Sequence, residues 1–159
     1  MKIAVGCDHA GVDLKLHIIK FLEKKKFQIE DFGINTSEPI DYPDVAYQVA
    51  KEVAYKRFDM GILICGTGAG MCIVANKVRG IRAVNVFDAN SAKLTRTHND
   101  ANVLCLGSRI LKKKSVNRIV DTWLKTKFEE GRHLRRVEKI KIVEKMVQYD
   151  TLSHGEHAS

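Results

Sequence analysis

Cys65 stands directly before Gly66-Thr67-Gly68-Ala69-Gly70, where an apolar run gives way to alternating glycines. Glycine lets a backbone turn tightly and leaves amide hydrogens facing inward, so such a loop holds negative charge, more so where a helix starts just after it. A thiol at the entrance of that loop sits where a cysteine can act as its thiolate. A base beside a cradle of N–H donors is equipment for removing a proton next to a carbonyl, because those donors stabilise the enediolate that forms. Acyl transfer through a Cys–His pair uses similar parts, and a plain structural turn uses the glycines alone, so the motif by itself leaves all three open. A nucleotide loop is disfavoured. No Gly-Lys-Ser/Thr follows, and a dinucleotide fingerprint needs glycine where Met71 stands, with an acidic residue that neither Asn85 nor Asp88 supplies at the usual place.

The elements around this loop read as alternating strands and helices. Lys2 to Cys7 is a short apolar strand that breaks at Asp8-His9-Ala10-Gly11. A helix follows with Leu14, Ile18, Phe21 and Leu22 on one face and Lys15, Lys20 and Glu23 off it. Phe27 to Phe32 alternates as a half-buried strand, Gly33 to Pro43 reads as a loop, and Val45, Val49 and Val53 mark a second helix. Met60 to Cys65 is nearly all apolar, the mark of a strand buried on both faces. A third helix passes through Ile73, Val74 and Val78, and a strand runs from Arg82 to Phe87. Asp88 and Asn90 can cap a fourth helix to about His98, and Asn102 to Leu106 is the fifth strand. Val116, Ile119, Val120 and Trp123 mark a fifth helix to about Glu130, and Val137 to Gln148 a last, charged one. The pattern predicts a doubly wound, Rossmann-like α/β domain: a five-stranded parallel sheet, helices on both faces and an extra C-terminal helix. Ligands of such sheets sit beyond the carboxyl ends of strands, where Asp8-His9 and Cys65 to Gly70 fall. Residues 1–149 form one domain on this reading, and 150–159 a flexible tail.

The 159 residues are 45% hydrophobic and 29% charged, enough apolar material for a single packed core. No apolar stretch approaches the ~18 residues of a membrane span, and the amino terminus reads as a strand rather than an export signal, which leaves the cytoplasm as the expected compartment. Cys7, Cys65, Cys72 and Cys105 are too scattered for a disulfide framework or a zinc finger. The net charge of +8 admits nucleic acid, a membrane surface or a small anion as partner. With 7% aromatics and no groove-reading motif, a phosphorylated small molecule fits better than nucleic acid, and no membrane partner is expected.

In chain order the sequence carries Asp8-His9-Ala10-Gly11, Asp41-Tyr42-Pro43-Asp44, Cys65 to Gly70, Ala75-Asn76-Lys77, Gly80-Ile81-Arg82-Ala83, His98 to Asn102, Leu106-Gly107-Ser108-Arg109 and Gly131-Arg132-His133. Together these blocks, spanning residues 2 to about 148, closely resemble the B-type ribose-5-phosphate isomerases, within a wider family that includes galactose-6-phosphate and allose-6-phosphate isomerases. The resemblance implies interconversion of ribose 5-phosphate and ribulose 5-phosphate through a cis-enediolate, with no metal and no cofactor. It implies Cys65 as the base; Met71 replaces the glutamate that one branch of the family uses instead. It implies Thr67 as the proton relay between substrate oxygens, amides around Gly66, Gly68 and Gly70 as the oxyanion cradle, and His98 with Asp8 as the pair that opens the furanose ring. Tyr42 and Asn99 would hold the sugar, and His9, Arg109, Arg132 and Arg136 the phosphate, for which arginine forks are suited. It further implies a homodimer, or a larger assembly such as a tetramer, with His98, Asn99, Arg109, Arg132 and Arg136 reaching in from the neighbouring subunit.

Each residue also has a plainer reading. Asp8 can be an N-cap, His98 can complement a helix end, and His9 can be an ordinary loop histidine. Tyr42 can pack in a turn, and Arg132 and Arg136, spaced i and i+4, can be a solvated face. A six-carbon sugar phosphate, a silent phosphosugar-binding module and a cysteine hydrolase using Cys65 and His98 remain as alternatives.

Overall fold

The computed structural model describes residues 1–36 and 38–155, with side chains described up to residue 146. Five strands, β1 (Lys2–Cys7), β2 (Gln28–Asp31), β3 (Met60–Cys65), β4 (Ala83–Asn85) and β5 (Val103–Gly107), form one parallel sheet in the order β2-β1-β3-β5-β4. Between them run α1 (Val12–Lys24), α2 (Tyr42–Ala54), α3 (Ala69–Ala75) and α4 (Ala89–Asn99), followed by α5 (Lys113–Lys125) and α6 (Arg132–Gly155); a 3₁₀ turn, His9–Gly11, leads into α1. The expected doubly wound architecture is therefore observed.

Alternation along the strands builds two cores. Ile62 and Ile64 of β3 pack with Ile18 of α1 and Trp123 of α5 on one face, while Leu63 and Cys65 pack with Val49 of α2 and Met71 of α3 on the other. Every residue of β3 is buried, as its unbroken apolar run requires. The chain leaves β1 toward β2 and returns to β3 on the opposite side, so the winding reverses between β1 and β3. Their carboxyl ends meet there, with the Asp8 N–H donating to the Ile64 carbonyl at 3.2 Å. That reversal is where open α/β sheets place their ligands.

Several local expectations are corrected. Lys15, assigned to the polar face of α1, is fully buried, 0% exposed. Its ammonium is satisfied by Asp31 Oδ2 at 2.7 Å, the Ile34 carbonyl at 2.7 Å and Asn35 Oδ1 at 2.8 Å. A charge is tolerated inside only with partners of this kind, and here it ties the segment after β2 to α1. Pro43, assigned to a loop, lies in the first turn of α2, where its missing N–H costs nothing. β4 is shorter than Arg82–Phe87, and α5 ends at Lys125 rather than near Glu130. The last helix, α6, starts at Arg132, before the expected Val137, and its helical backbone runs to Gly155; residues 156–159, the end of the expected tail, lie outside the described residues. Among the described residues no helix is long and apolar enough to cross a membrane.

Candidate active site

The glycine loop joins β3 to α3 at the carboxyl edge of the sheet. Gly68 takes a left-handed backbone, φ 82°, and a Cβ there would lie 2.5 Å from Asn85 Oδ1. Only glycine meets both conditions comfortably. This turn aims the Gly68 N–H back at Cys65, donating to Sγ at 3.1 Å, so the sulfur faces the loop, and Cys65 as a residue is buried, 5% exposed. Ala69 N–H donates to Thr67 Oγ1 at 3.3 Å, which holds that hydroxyl on the same loop. Replacing Gly68 by alanine is expected to lower stability by ~1–2 kcal/mol from the left-handed backbone alone, with a further loss from the contact at Asn85; thermal unfolding measures it.

Other predicted residues gather around this loop. The Tyr42 ring lies over Gly70, where a Cβ would sit 2.8 Å from the ring. Arg109 lies against Gly66, 3.4 Å from a Cβ built there, and its own N–H donates to the Gly66 carbonyl at 3.0 Å. This corrects one implied feature: Arg109 stands at the Cys65 loop of its own chain rather than reaching in from a neighbour. The reason is topological, because β5 pairs with β3 and its carboxyl end delivers Arg109 beside Gly66. Asp8, buried at the end of β1, caps the 3₁₀ turn by accepting from the Ala10 N–H at 2.9 Å, and His9 follows it, exposed, on the same edge.

His98, Asn99, Arg132 and Arg136 form a second group elsewhere. α4 runs against the strands, so His98 and Asn99 emerge at the amino edge, beside the start of β3, where the Asn102 carbonyl accepts from the Gly61 N–H at 2.9 Å. From Gly61 to Cys65 a strand advances about 13 Å, which separates His98 from the Cys65 of the same chain. The Cys–His pair of a cysteine hydrolase does not form within the chain. His98 instead stacks on His133, with ring centroids 4.2 Å apart and planes 6° from parallel. α6 begins here, bringing Arg132 Nε to 3.4 Å from His133 Nε2. Burial, then His98 and Arg132, push the His133 imidazole below its ordinary value.

Among the described residues one set could ligate a metal: His98, Glu129 and His133 each offer an atom within 4.8 Å of the others. Arg132 and Arg136 both act on His133 against the single carboxylate of Glu129, so the cluster is better suited to an anion than to a cation.

The remaining cysteines are poor bases for this loop. Burial pushes the Cys7 thiol up to about 11 and carries Cys105 well above its usual range. Cys72 is held low, first by a hydrogen bond from Cys105, but it lies under α3 against the Ala83 carbonyl, 3.4 Å away. Sequence reasoning gave no role to Asn85, whose Nδ2 donates to the Thr67 carbonyl at 3.2 Å, or to Ser108, whose hydroxyl donates to the Ala10 carbonyl at 2.7 Å. Nor did it single out His133. Two of these three fall in ordered blocks already noted, Leu106 to Arg109 and Gly131 to His133, which was the available signal; Asn85 had none.

A family model described as Ribose/Galactose Isomerase matches residues 3–140. Ribose-5-phosphate isomerase B of Escherichia coli is 50% identical over 143 residues, covering 90% of this chain and 96% of that protein. A solved ribose-5-phosphate isomerase B from Clostridium thermocellum superposes with a TM-score of 0.91 at 48% identity, covering 92% of this chain and 99% of that one. The Mycoplasma genitalium enzyme with bound ribulose-5-phosphate superposes with a TM-score of 0.87 at 46% identity, covering 91% and 96%.

Proposed function

The chain belongs to the ribose/galactose isomerase family, and from that premise we infer an aldose–ketose isomerase that interconverts D-ribose 5-phosphate and D-ribulose 5-phosphate. The observation that carries this reading is the Gly68 N–H held on Cys65 Sγ at 3.1 Å, which puts a proton acceptor and an oxyanion donor side by side. In the open-chain aldose, Cys65 removes the hydrogen at C2. The charge that develops on the carbonyl oxygen is met by the loop amides, which are already oriented and need no reorganisation. Cys65 then returns the hydrogen to C1, while Thr67 carries a proton from the C2 hydroxyl to the C1 oxygen. The sum is one hydrogen moved between carbons and one between oxygens, with no net exchange with another reagent.

Ring opening and phosphate binding need groups that one chain does not gather. With His98 at the opposite edge of the sheet from its own Cys65, we read the complete site as shared in a homodimer. One copy supplies Asp8, His9, Tyr42, Arg109 and the glycine loop. The second supplies His98, which opens the ring with the first copy's Asp8, and Asn99, Arg132 and Arg136 for the sugar and phosphate. α6 leaves Leu134, Ile140, Ile142, Val143 and Met146 exposed, apolar surface that pairing of two copies would cover. The unbridged cysteines suit the reducing cytoplasm as the working compartment.

Five- and six-carbon substrates require the same proton transfer and differ in the span to the phosphate clamp. A coupled assay is expected to give a kcat/KM for ribose 5-phosphate at least about tenfold above those for allose 6-phosphate and galactose 6-phosphate, since one added carbon displaces the phosphate from its arginines by roughly one bond length (about 1.4 kcal/mol per factor of ten). A higher kcat/KM for either hexose phosphate would reassign the substrate while leaving the chemistry in place.

A further inference from the structure

The corner that presents His98 and Asn99 is held by charges that proton transfer does not use. α4 ends at Asp100, whose backbone is left-handed, φ 47°, a conformation normally given to glycine. What aspartate adds is a carboxylate. Its Oδ1 accepts from Arg96 Nη1 at 2.8 Å and its Oδ2 from Arg82 Nη2 at 2.9 Å. Arg82 also donates through Nε to the Asn99 carbonyl at 2.9 Å and through Nη2 to the Asp100 carbonyl at 2.8 Å. Arg96 is 8% exposed, donates to the Ala101 carbonyl at 2.6 Å and stands over the Trp123 ring at 5.8 Å.

Two guanidinium groups, one from α4 and one from the residue before β4, thus grip the same carboxylate and the carbonyls on both sides of it. An isolated surface ion pair fixes little. Here the pair is partly buried and repeated on the backbone, so the corner has one geometry. A strained non-glycine backbone fixed this tightly by its surroundings is found where a precise placement is needed. The side chains placed are those one and two residues earlier, Asn99 and His98.

We propose that Asp100, gripped by Arg82 and Arg96, is the positioning device for ring opening: it holds His98 where it can act on the furanose bound at a second copy's Cys65 loop. This rests on the reading that His98 opens the ring. Arg82 and Arg96 touch no substrate; they act through the corner. Loosening the corner removes ring opening and leaves the proton-transfer loop intact.

An enzyme that cannot open the ring converts only the free aldehyde that solution supplies. Its velocity then stops rising with enzyme concentration and levels off at the spontaneous ring-opening rate, which anomer-exchange NMR of ribose 5-phosphate gives without enzyme. An enzyme that is merely unstable or slow stays proportional to its concentration, with a lower slope. The experiment measures velocity against enzyme concentration for the full-length wild type, Asp100→Asn, Arg82→Gln and, as reference, His98→Asn. The expected result is a line for the wild type and a plateau at the spontaneous rate for all three variants. A plateau for His98→Asn with straight lines for Asp100→Asn and Arg82→Gln, at any slope, overturns the role of the corner alone. A straight line for His98→Asn overturns the ring-opening reading and this inference with it. Should Asp100→Asn not fold, Arg82→Gln decides, since it leaves the Arg96–Asp100 pair in place.

Discussion

Cys65→Ala is expected to lower kcat for ribose 5-phosphate about 10³-fold, in the middle of the range that a positioned general base contributes, with binding of the sugar phosphate retained. The two effects separate because the groups separate. Cys65 Sγ faces the Gly68 N–H at 3.1 Å, on the loop proposed to handle the reacting carbons, whereas the substitution leaves intact Arg109, Arg132 and Arg136, the proposed phosphate holders. Alanine removes the thiol and keeps the buried, apolar end of β3, so the fold has little reason to change. Cys7→Ala and Cys105→Ala serve as controls: both thiols are buried and pushed up, to about 11 for Cys7 and well above its usual range for Cys105, so neither is available as a base near neutral pH. Their kcat values are expected within a few-fold of wild type. Steady-state turnover with calorimetric binding of ribulose 5-phosphate measures both halves, and near-normal turnover by Cys65→Ala would move the base elsewhere.

Much of this site could be read along the chain because its parts are contiguous. β3 announces itself as an apolar run, and the step from Cys65 to Gly66 marks its carboxyl end; the observed strand has those bounds. The cradle follows from glycines that a side chain would block, Gly68 most clearly. What could not be read is everything that depends on where separate segments meet. Lys15 looks like a solvated residue because periodicity registers only its charge, while the acceptors that satisfy it, Asp31, the Ile34 carbonyl and Asn35, come from the end of β2 and the segment after it. Asn85 serves the loop through a single amide hydrogen bond to the Thr67 carbonyl, 18 residues away, with no local pattern to mark it. Arg109 and His98 both sit in strong blocks, yet only the strand order and the direction of α4 show that one joins the Cys65 loop and the other leaves for the opposite edge. Types and spacing indicated the chemistry; the sheet decides which groups one chain can bring together.

Subunit complementation addresses the central claim, that a working site draws Cys65 from one copy and His98 from another. Homodimers of Cys65→Ala lack the base in both sites, and homodimers of His98→Asn lack the ring-opening group in both. A mixed dimer of the two carries one site with both defects and one with neither. Random exchange of equal amounts places half the dimers in the mixed state, each with one intact site of two, so about a quarter of wild-type activity is expected from two preparations that are nearly inactive alone. Native mass spectrometry of the re-equilibrated mixture confirms that mixed dimers are present when activity is assayed. Recovery to about that level is the predicted result, whereas mixed dimers no more active than their parents would contradict the shared site.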